Sequence, residues 1–205
     1  ISTSEVYGTA LSVPITEDHP LQAQSPYSAS KIAAEKLAES YFKSFELPVT
    51  VVRPFNTYGP RQSPRAVIPT ILMQALGNNN RIALGDPTTT RDFNFVHDTV
   101  EGMLRLAAND TAIGNTVNIG TGTEVTVSNI VDMVAEITGN ELVVSEDAAR
   151  KRPANSEVRR LCADNSLLKS MTGWTPPDRI REGLRVTADW IKQHLTDYDT
   201  NRYYT

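Results

Sequence analysis

Short β-branched or apolar runs alternate with segments of helical periodicity along this chain, and that alternation limits its fold more than any other feature. Val49-Thr50-Val51-Val52 follows a long helical segment, residues 25–46, and the chain turns at Pro54. An apolar run of this kind, entered straight after a helix, is how a strand buried on both faces of a parallel sheet reads. Further strands are expected over residues 82–84, 93–96, 116–119 and 142–145. Helices are expected over 66–76, 99–108, 127–137, 165–171 and 179–194. Strands alternating with helices imply an α/β fold built on a parallel sheet.

The long first helix has clear start signals. Ser25 can cap it, Pro26 suits its first turn, and Ile32, Leu37, Tyr41 and Phe45 approximate one apolar stripe. Thr126 or Ser128 should cap the amphipathic segment 127–137. Residues 8–26, with Gly8, Pro14, Pro20 and Pro26, read as a loop. Gly120-Thr121-Gly122 follows a strand and precedes a helix, but a dinucleotide fingerprint would need a third glycine where Val125 stands.

Composition removes several classes of function. Acidic residues outnumber basic ones, 24 to 20, which argues against a face made to neutralise nucleic-acid phosphates. The single cysteine, Cys162, excludes an internal disulfide or a cysteine-based zinc site and is expected to be buried rather than reactive. His19, His97 and His194 are scattered, no two at metal-ligand spacing, so no metal is expected, and His97 reads as a packed residue. No apolar run is long enough to span a membrane. The chain opens at Ile1 without a basic, then apolar, leader, and the expectation is a cytoplasmic protein seen as a fragment.

The residues with chemical promise begin with Tyr27 and Lys31, four apart near a helix start and therefore on one face. An ammonium and a helix N-terminus both favour a phenolate, which would make a tyrosine there a usable base. Spacing alone also describes an ordinary surface pair. Upstream lies Ser2-Thr3-Ser4-Glu5-Val6-Tyr7-Gly8, with hydroxyls and a carboxylate before a glycine. That composition suits a site at the carboxyl edge of a parallel sheet.

Taken in order, these segments resemble a known family. Thr3, Tyr27-x-x-x-Lys31, Arg53-Pro54-Phe55-Asn56-x-Tyr58-Gly59-Pro60, Arg91-Asp92-Phe93 with Val96-x-Asp98, Asn118-Ile119-Gly120-x-Gly122, and Arg152-Pro153 leading to Ala163-Asp164 cover nearly the whole chain. Together they resemble the extended short-chain dehydrogenase/reductase family of nucleotide-sugar epimerases and dehydratases. The resemblance implies the C-terminal portion of a Rossmann-like parallel sheet plus a smaller α/β substrate-binding lobe. Residues 1–60 would be the catalytic half, 61–195 a mixed substrate lobe with segments returning to the sheet, and 196–205 a tail.

By the same resemblance, Tyr27 would take the proton of the sugar O4, and Lys31 would assist it and hold the nicotinamide ribose. Thr3 would bond that O4, Glu5 would be a second base, and Ser4 would face substrate. Pro54 and Asn56 would lie beside the nicotinamide, with Asn56 also reaching the substrate phosphates. Arg91 and Arg152 would pair with the diphosphate, although Arg150-Lys151-Arg152 also reads as a solvated basic run. Val67, Ile68 and Pro69 would adjoin the nucleotide base, and the Gly120-Thr121-Gly122 turn would organise the substrate-side lobe. The implied cofactor is NAD, and the implied partner is a nucleotide-diphosphate sugar.

Glu5 narrows the reaction. A 4,6-dehydratase must remove a C5 proton beside a transient C4 ketone, whereas a 4-epimerase needs no second base. Thr3-Ser4-Glu5 looks like the Thr-Ser-Glu of GDP-mannose 4,6-dehydratases, and residues 54–69 look closest to N-acetylglucosamine-nucleotide 4,6-dehydratases of the legionaminic-acid type. An epimerase, a UDP-glucuronate decarboxylase and a non-catalytic nucleotide-sugar-binding fragment remain the alternatives. The glycine loop that cradles the cofactor pyrophosphate is not in this sequence, and the fragment is expected to be inactive alone. A homodimer is expected of the intact enzyme, through a bundle that includes the Tyr27 helix.

Overall fold

A computed structural model of the chain describes residues 1–77, 80–151 and 158–197. Its strands are β1 (Val51–Pro54), β2 (Asn56–Tyr58), β3 (Arg81–Leu84), β4 (Thr90–Arg91), β5 (Phe93–Phe95), β6 (Thr116–Ile119), β7 (Val125–Thr126), β8 (Val143–Glu146) and β9 (Arg160–Leu161). Its α-helices are α1 (Pro26–Phe45), α2 (Val67–Leu76), α3 (Val96–Ala107), α4 (Val127–Thr138), α5 (Ser166–Thr172) and α6 (Ile180–Gln193). The chain forms two compact units and passes between them repeatedly. The first draws on residues 1–57, 91–124 and 153–178, the second on 58–90, 125–152 and 179–205.

In the first unit β1 and β6 run parallel, with Val51 opposite Thr116 and Pro54 opposite Ile119. The Ser2 amide donates to the Val52 carbonyl at 2.7 Å and so ties the first residues to β1. Val52, Leu106, Ala112, Val117, Ile119 and Leu168 form one apolar cluster. Val6, Tyr7, Ile15, Phe55, Leu161 and Ala163 belong to another. Residues 8–25 form a loop, as expected, with one isolated bridge from Ile15 to Ala163; Ile15 is fully buried and its amide donates to the Cys162 carbonyl at 2.8 Å.

The expected 49–52 strand is displaced by two residues. Pairing starts where the partner segment 116–119 allows, and it carries the ladder on through the charged Arg53. The α3 helix likewise starts three residues before the expected Thr99, directly after β5 and with no side-chain cap.

Ser25 caps α1 as expected: its hydroxyl accepts the Ser28 amide, and the Ser28 hydroxyl accepts the Ser25 amide in return. Of the apolar stripe, Ile32 packs partly buried against the cluster of Val6, Tyr7 and Phe55, and the rest turns outward. Leu37, Tyr41 and Phe45 are exposed by 61%, 48% and 73%, and the two buried residues of the helix are Ser28 and Glu35.

In the second unit β3 and β8 pair in parallel, Arg81 opposite Val143 through Leu84 opposite Glu146. Three helices pack together there through Ile68, Ile71 and Leu72 of α2, Ile130, Val131 and Val134 of α4, and Leu184 and Ile191 of α6. The buried Gln74 amide grips β3 by accepting from the Ala83 amide at 2.8 Å and donating to the Ala83 carbonyl at 3.3 Å.

Candidate active site

The Thr3–Glu5 segment is shaped by a tight 3-10 turn, Ser4–Tyr7. Thr3 is its N-cap, and the Thr3 hydroxyl accepts the Glu5 amide at 3.2 Å, so the two candidate catalytic residues fix each other's backbone. Gly8 ends the turn at φ 61, and a Cβ there would lie 2.8 Å from Gln22 Cβ, so only glycine closes it without strain. Ser4 is buried, while Thr3 and Glu5 are half-buried.

Across from this turn stands the first half of α1. Tyr27 is 52% exposed, and Lys31 lies one helical turn further on. Lys31 Nζ donates to the Ile1 carbonyl at 3.1 Å, a bond that brings the Tyr27–Lys31 face to the segment carrying Thr3 and Glu5. Four of the expected site residues are therefore gathered in the first unit.

Beneath them is a polar network that the sequence reading did not assign. Arg53 projects from β1 and is nearly fully buried. Its Nε and Nη2 donate to the two Glu35 carboxylate oxygens at 2.9 and 2.7 Å. Its Nη1 donates to the Tyr7 hydroxyl at 2.9 Å and to the Glu17 carbonyl at 3.1 Å, and Tyr7 donates on to Asn118 Oδ1 at 2.7 Å. Burial works against the Glu35 carboxylate, but the paired guanidinium outweighs it and holds its pKa below the usual value. Burial pushes the Tyr7 phenol up, which keeps it neutral and suits it to donate rather than to serve as a base. The available signal was an arginine ending an apolar strand run, because a charge there is buried only with a partner.

Pro54 closes β1 and Asn56 opens β2. Asn56 Oδ1 is buried and makes no hydrogen bond among the described residues, leaving an acceptor that a ligand's donor could fill. Arg91 is buried at β4 and donates to the Arg159 carbonyl at 3.4 Å. Val67, Ile68 and Pro69 begin α2 of the second unit, where Ile68 and Pro69 are buried. Arg152 lies outside the described residues.

Asp92, next to Arg91, joins motif pieces that are far apart in sequence. Its carboxylate accepts from the Thr121 amide at 2.9 Å and hydroxyl at 2.7 Å, the Gly122 amide at 2.9 Å and the Ala163 amide at 3.1 Å. A Cβ on Gly120 would stand 2.2 Å from Ala163 Cβ and 2.7 Å from Asp92 Oδ2, which explains the glycine. The 120–122 turn is part of the first unit. Burial pushes the Asp92 carboxyl up, against the pull of these donors.

Cys162 is buried, and burial raises its thiol to about 11, too high for a reactive thiolate. His97 is exposed and lies against the Phe95 ring, with centroids 4.8 Å apart, rather than packed inside as expected. Among the described residues no group of His, Cys, Asp or Glu could hold a metal ion, and no helix is long and apolar enough to cross a membrane.

Known proteins share both the sequence and the fold. A family model described as GDP-mannose 4,6 dehydratase matches residues 1–187. A UDP-glucose 4-epimerase of Mycolicibacterium smegmatis is 32% identical over 195 residues, which make up 93% of this chain and 60% of that protein. The dTDP-D-glucose 4,6-dehydratase of Homo sapiens is 30% identical over 203 residues, 97% of this chain and 57% of that one. Among solved structures, UDP-glucuronic acid 4-epimerase from Bacillus cereus, in complex with UDP-glucuronic acid and NAD, aligns with a TM-score of 0.86 at 30% identity. That alignment covers 94% of this chain and 60% of the other. The chain thus spans about 60% of the length of these relatives.

Proposed function

The chain belongs to the GDP-mannose 4,6-dehydratase family, within the extended short-chain dehydrogenase/reductases of nucleotide sugars, and from that premise we propose that it carries the proton-transfer residues of a cytoplasmic, NAD-dependent nucleotide-sugar 4,6-dehydratase. The observation that carries the reading is the Lys31–Ile1 bond, which sets the Tyr27–Lys31 face beside the turn holding Thr3 and Glu5.

The residues present fit the nicotinamide end of NAD. Lys31 is a donor for its ribose, and the orphaned Asn56 acceptor is a place for an amide or hydroxyl donor. NAD bound there would supply the acceptor for the C4 hydride and the donor that gives it back at C6. Tyr27 takes the proton of the O4 hydroxyl, and the Lys31 charge favours the phenolate that results. Thr3, held by its cap geometry, orients O4. The C4 ketone acidifies C5; Glu5 removes that proton and passes it to the departing C6 hydroxyl, which leaves as water. Arg91 and Arg152 are assigned to the diphosphate, Ser4 to the sugar, and Val67, Ile68 and Pro69 to the base. The exposed Leu37, Tyr41 and Phe45 face of α1 is where a second copy would pair.

A 4-epimerase is the second reading, because relatives named for that reaction are as similar as those named for dehydration. The test is to join the chain to the cofactor-binding part of a relative, supply NAD and a nucleotide sugar, and compare the native sequence with Glu5→Gln. C4 oxidation should persist, seen as absorbance of reduced cofactor, while dehydration falls about 100-fold or more. Normal dehydration by the variant would remove Glu5 from the mechanism, and a C4 epimer as the native product would favour the second reading.

A further inference from the structure

We infer that Glu35 and Arg53 are positioning residues, acting through Tyr7 to hold the Thr3–Glu5 turn against the Tyr27–Lys31 face of α1. For what the positioned groups do, this deepens the function proposed above and rests on it.

Three observations carry the inference. First, Tyr27, Lys31 and Glu35 follow each other at four-residue steps and so share one face of α1. Glu35 is 3% exposed on a helix whose large apolar side chains mostly point to solvent, so its burial is not a by-product of a buried stripe. Secondly, the Glu35 contact is a two-pronged fork, with Nε and Nη2 of Arg53 each taking one oxygen. A fork fixes the guanidinium plane as well as its place, and so fixes the direction of the remaining donor, Nη1. Nη1 points to the Tyr7 hydroxyl, and Tyr7 is the last residue of the 3-10 turn that begins at Ser4.

Thirdly, Arg53 lies on β1, two residues before the buried Phe55 and three before Asn56, whose buried Oδ1 makes no hydrogen bond among the described residues. One guanidinium therefore ties together the helix, the turn and the strand that carry the candidate site residues. A buried ion pair of this kind commonly stabilises no more than apolar residues of similar volume would. Its distinctive property is direction, which proton transfer between fixed groups requires.

The Lys31–Ile1 bond gives a readout that needs no substrate. Competitive acetylation of the folded chain measures Lys31 against Lys36 and Lys43 of the same helix. Glu35→Gln should raise Lys31 labelling about fivefold, the value of one hydrogen bond near 1 kcal/mol, while Lys36 and Lys43 keep their rates. Arg53→Lys keeps the charge but loses the fork and should behave as Glu35→Gln does. The double variant Glu35→Leu with Arg53→Met removes both buried charges and preserves the fold where a single variant fails.

Fast Lys31 labelling in that double variant, at an unchanged melting temperature, supports positioning, because a purely structural pair would not produce it. Unchanged Lys31 labelling in the folded double variant overturns the proposal, as does native behaviour of Arg53→Lys. In the chain joined to that cofactor-binding part, with NAD and nucleotide sugar supplied, Glu35→Gln should lower kcat about tenfold with KM within about twofold, the pattern of misplaced catalytic groups rather than weaker binding. A joined protein of native sequence that turns over no nucleotide sugar sinks the functional reading alone, because the labelling result still decides the positioning role.

Discussion

The α1 and α4 helices start alike and are held in opposite ways. Each is capped by a hydroxyl, Ser25 on the Ser28 amide at 3.1 Å and Thr126 on the Asn129 amide at 3.0 Å. The α4 helix buries Val127, Ile130, Val131 and Val134 in the second unit. In α1 the buried residues are Ser28 and Glu35, and Leu37, Tyr41 and Phe45 face outward. An apolar stripe thus shows where a helix docks only when its partner surface is apolar as well. Where the partner is a guanidinium, the docking face reads as ordinary polar surface.

The largest expected effect comes from removing one partner of each attachment. Glu35→Ala leaves Arg53 buried without its carboxylate and should lower unfolding stability by about 3–5 kcal/mol in a urea titration. Ile130→Ala in α4 creates a cavity and should lower it by about 2–5 kcal/mol. The comparison sharpens when both partners are removed together. Glu35→Leu with Arg53→Met should recover most of the first loss, whereas no second substitution short of refilling the cavity recovers the other. If the double variant is as unstable as Glu35→Ala, the pair is not what attaches α1.

Next in size is a pH effect confined to α1. The folded Glu35 carboxyl lies below its unfolded value, because the guanidinium outweighs the burial that opposes it. Its contribution is therefore complete above the unfolded carboxyl value, about 4.3, and is lost as pH falls through the lower folded value. Burial raises Asp92 and Glu17 instead, so those two groups work in the opposite sense over acidic pH. The difference between the native chain and Glu35→Gln isolates the first term. Native stability should fall more steeply below about pH 5, and the two acid limbs should converge. Parallel curves would place the Glu35 charge outside the linkage.

What could be read from the sequence follows the same division. The Thr116–Ile119 strand was anticipated at both ends, and α4 and α6 to within one residue, because apolar packing imposes a period that a sequence displays. The motif residues Thr3, Glu5, Tyr27 and Lys31 are singled out by their resemblance to a family, and the Lys31–Ile1 bond ties the helix of the last two to the segment that holds the first two. Glu35, Tyr7 and the side-chain role of Arg53 were not. Their partners stand 18 and 46 residues apart in the chain, and no local period marks a hydrogen bond over that separation. Asp92 was quoted in a motif but unassigned, because its donors at Thr121, Gly122 and Ala163 converge only in the folded chain.

The smallest effect tests the outward face of α1. Single surface substitutions away from special contacts change stability by about 0.5 kcal/mol or less. Leu37→Gln and Phe45→Gln should therefore barely move the urea midpoint of a monomeric chain, while Val134→Ala in α4 lowers it clearly. The same pair of variants also reads whether the face is in use. If a second copy covers Leu37, Tyr41 and Phe45, the native midpoint will rise with protein concentration and the variants will abolish that rise. A concentration-independent midpoint unaffected by either variant leaves α1 attached by its polar pins and the inward side chains Ile32 and Phe42, with no part for the outer face. A large loss on Leu37→Gln at every concentration would mean that this side chain packs within the chain, and the contrast between the two helices would fall.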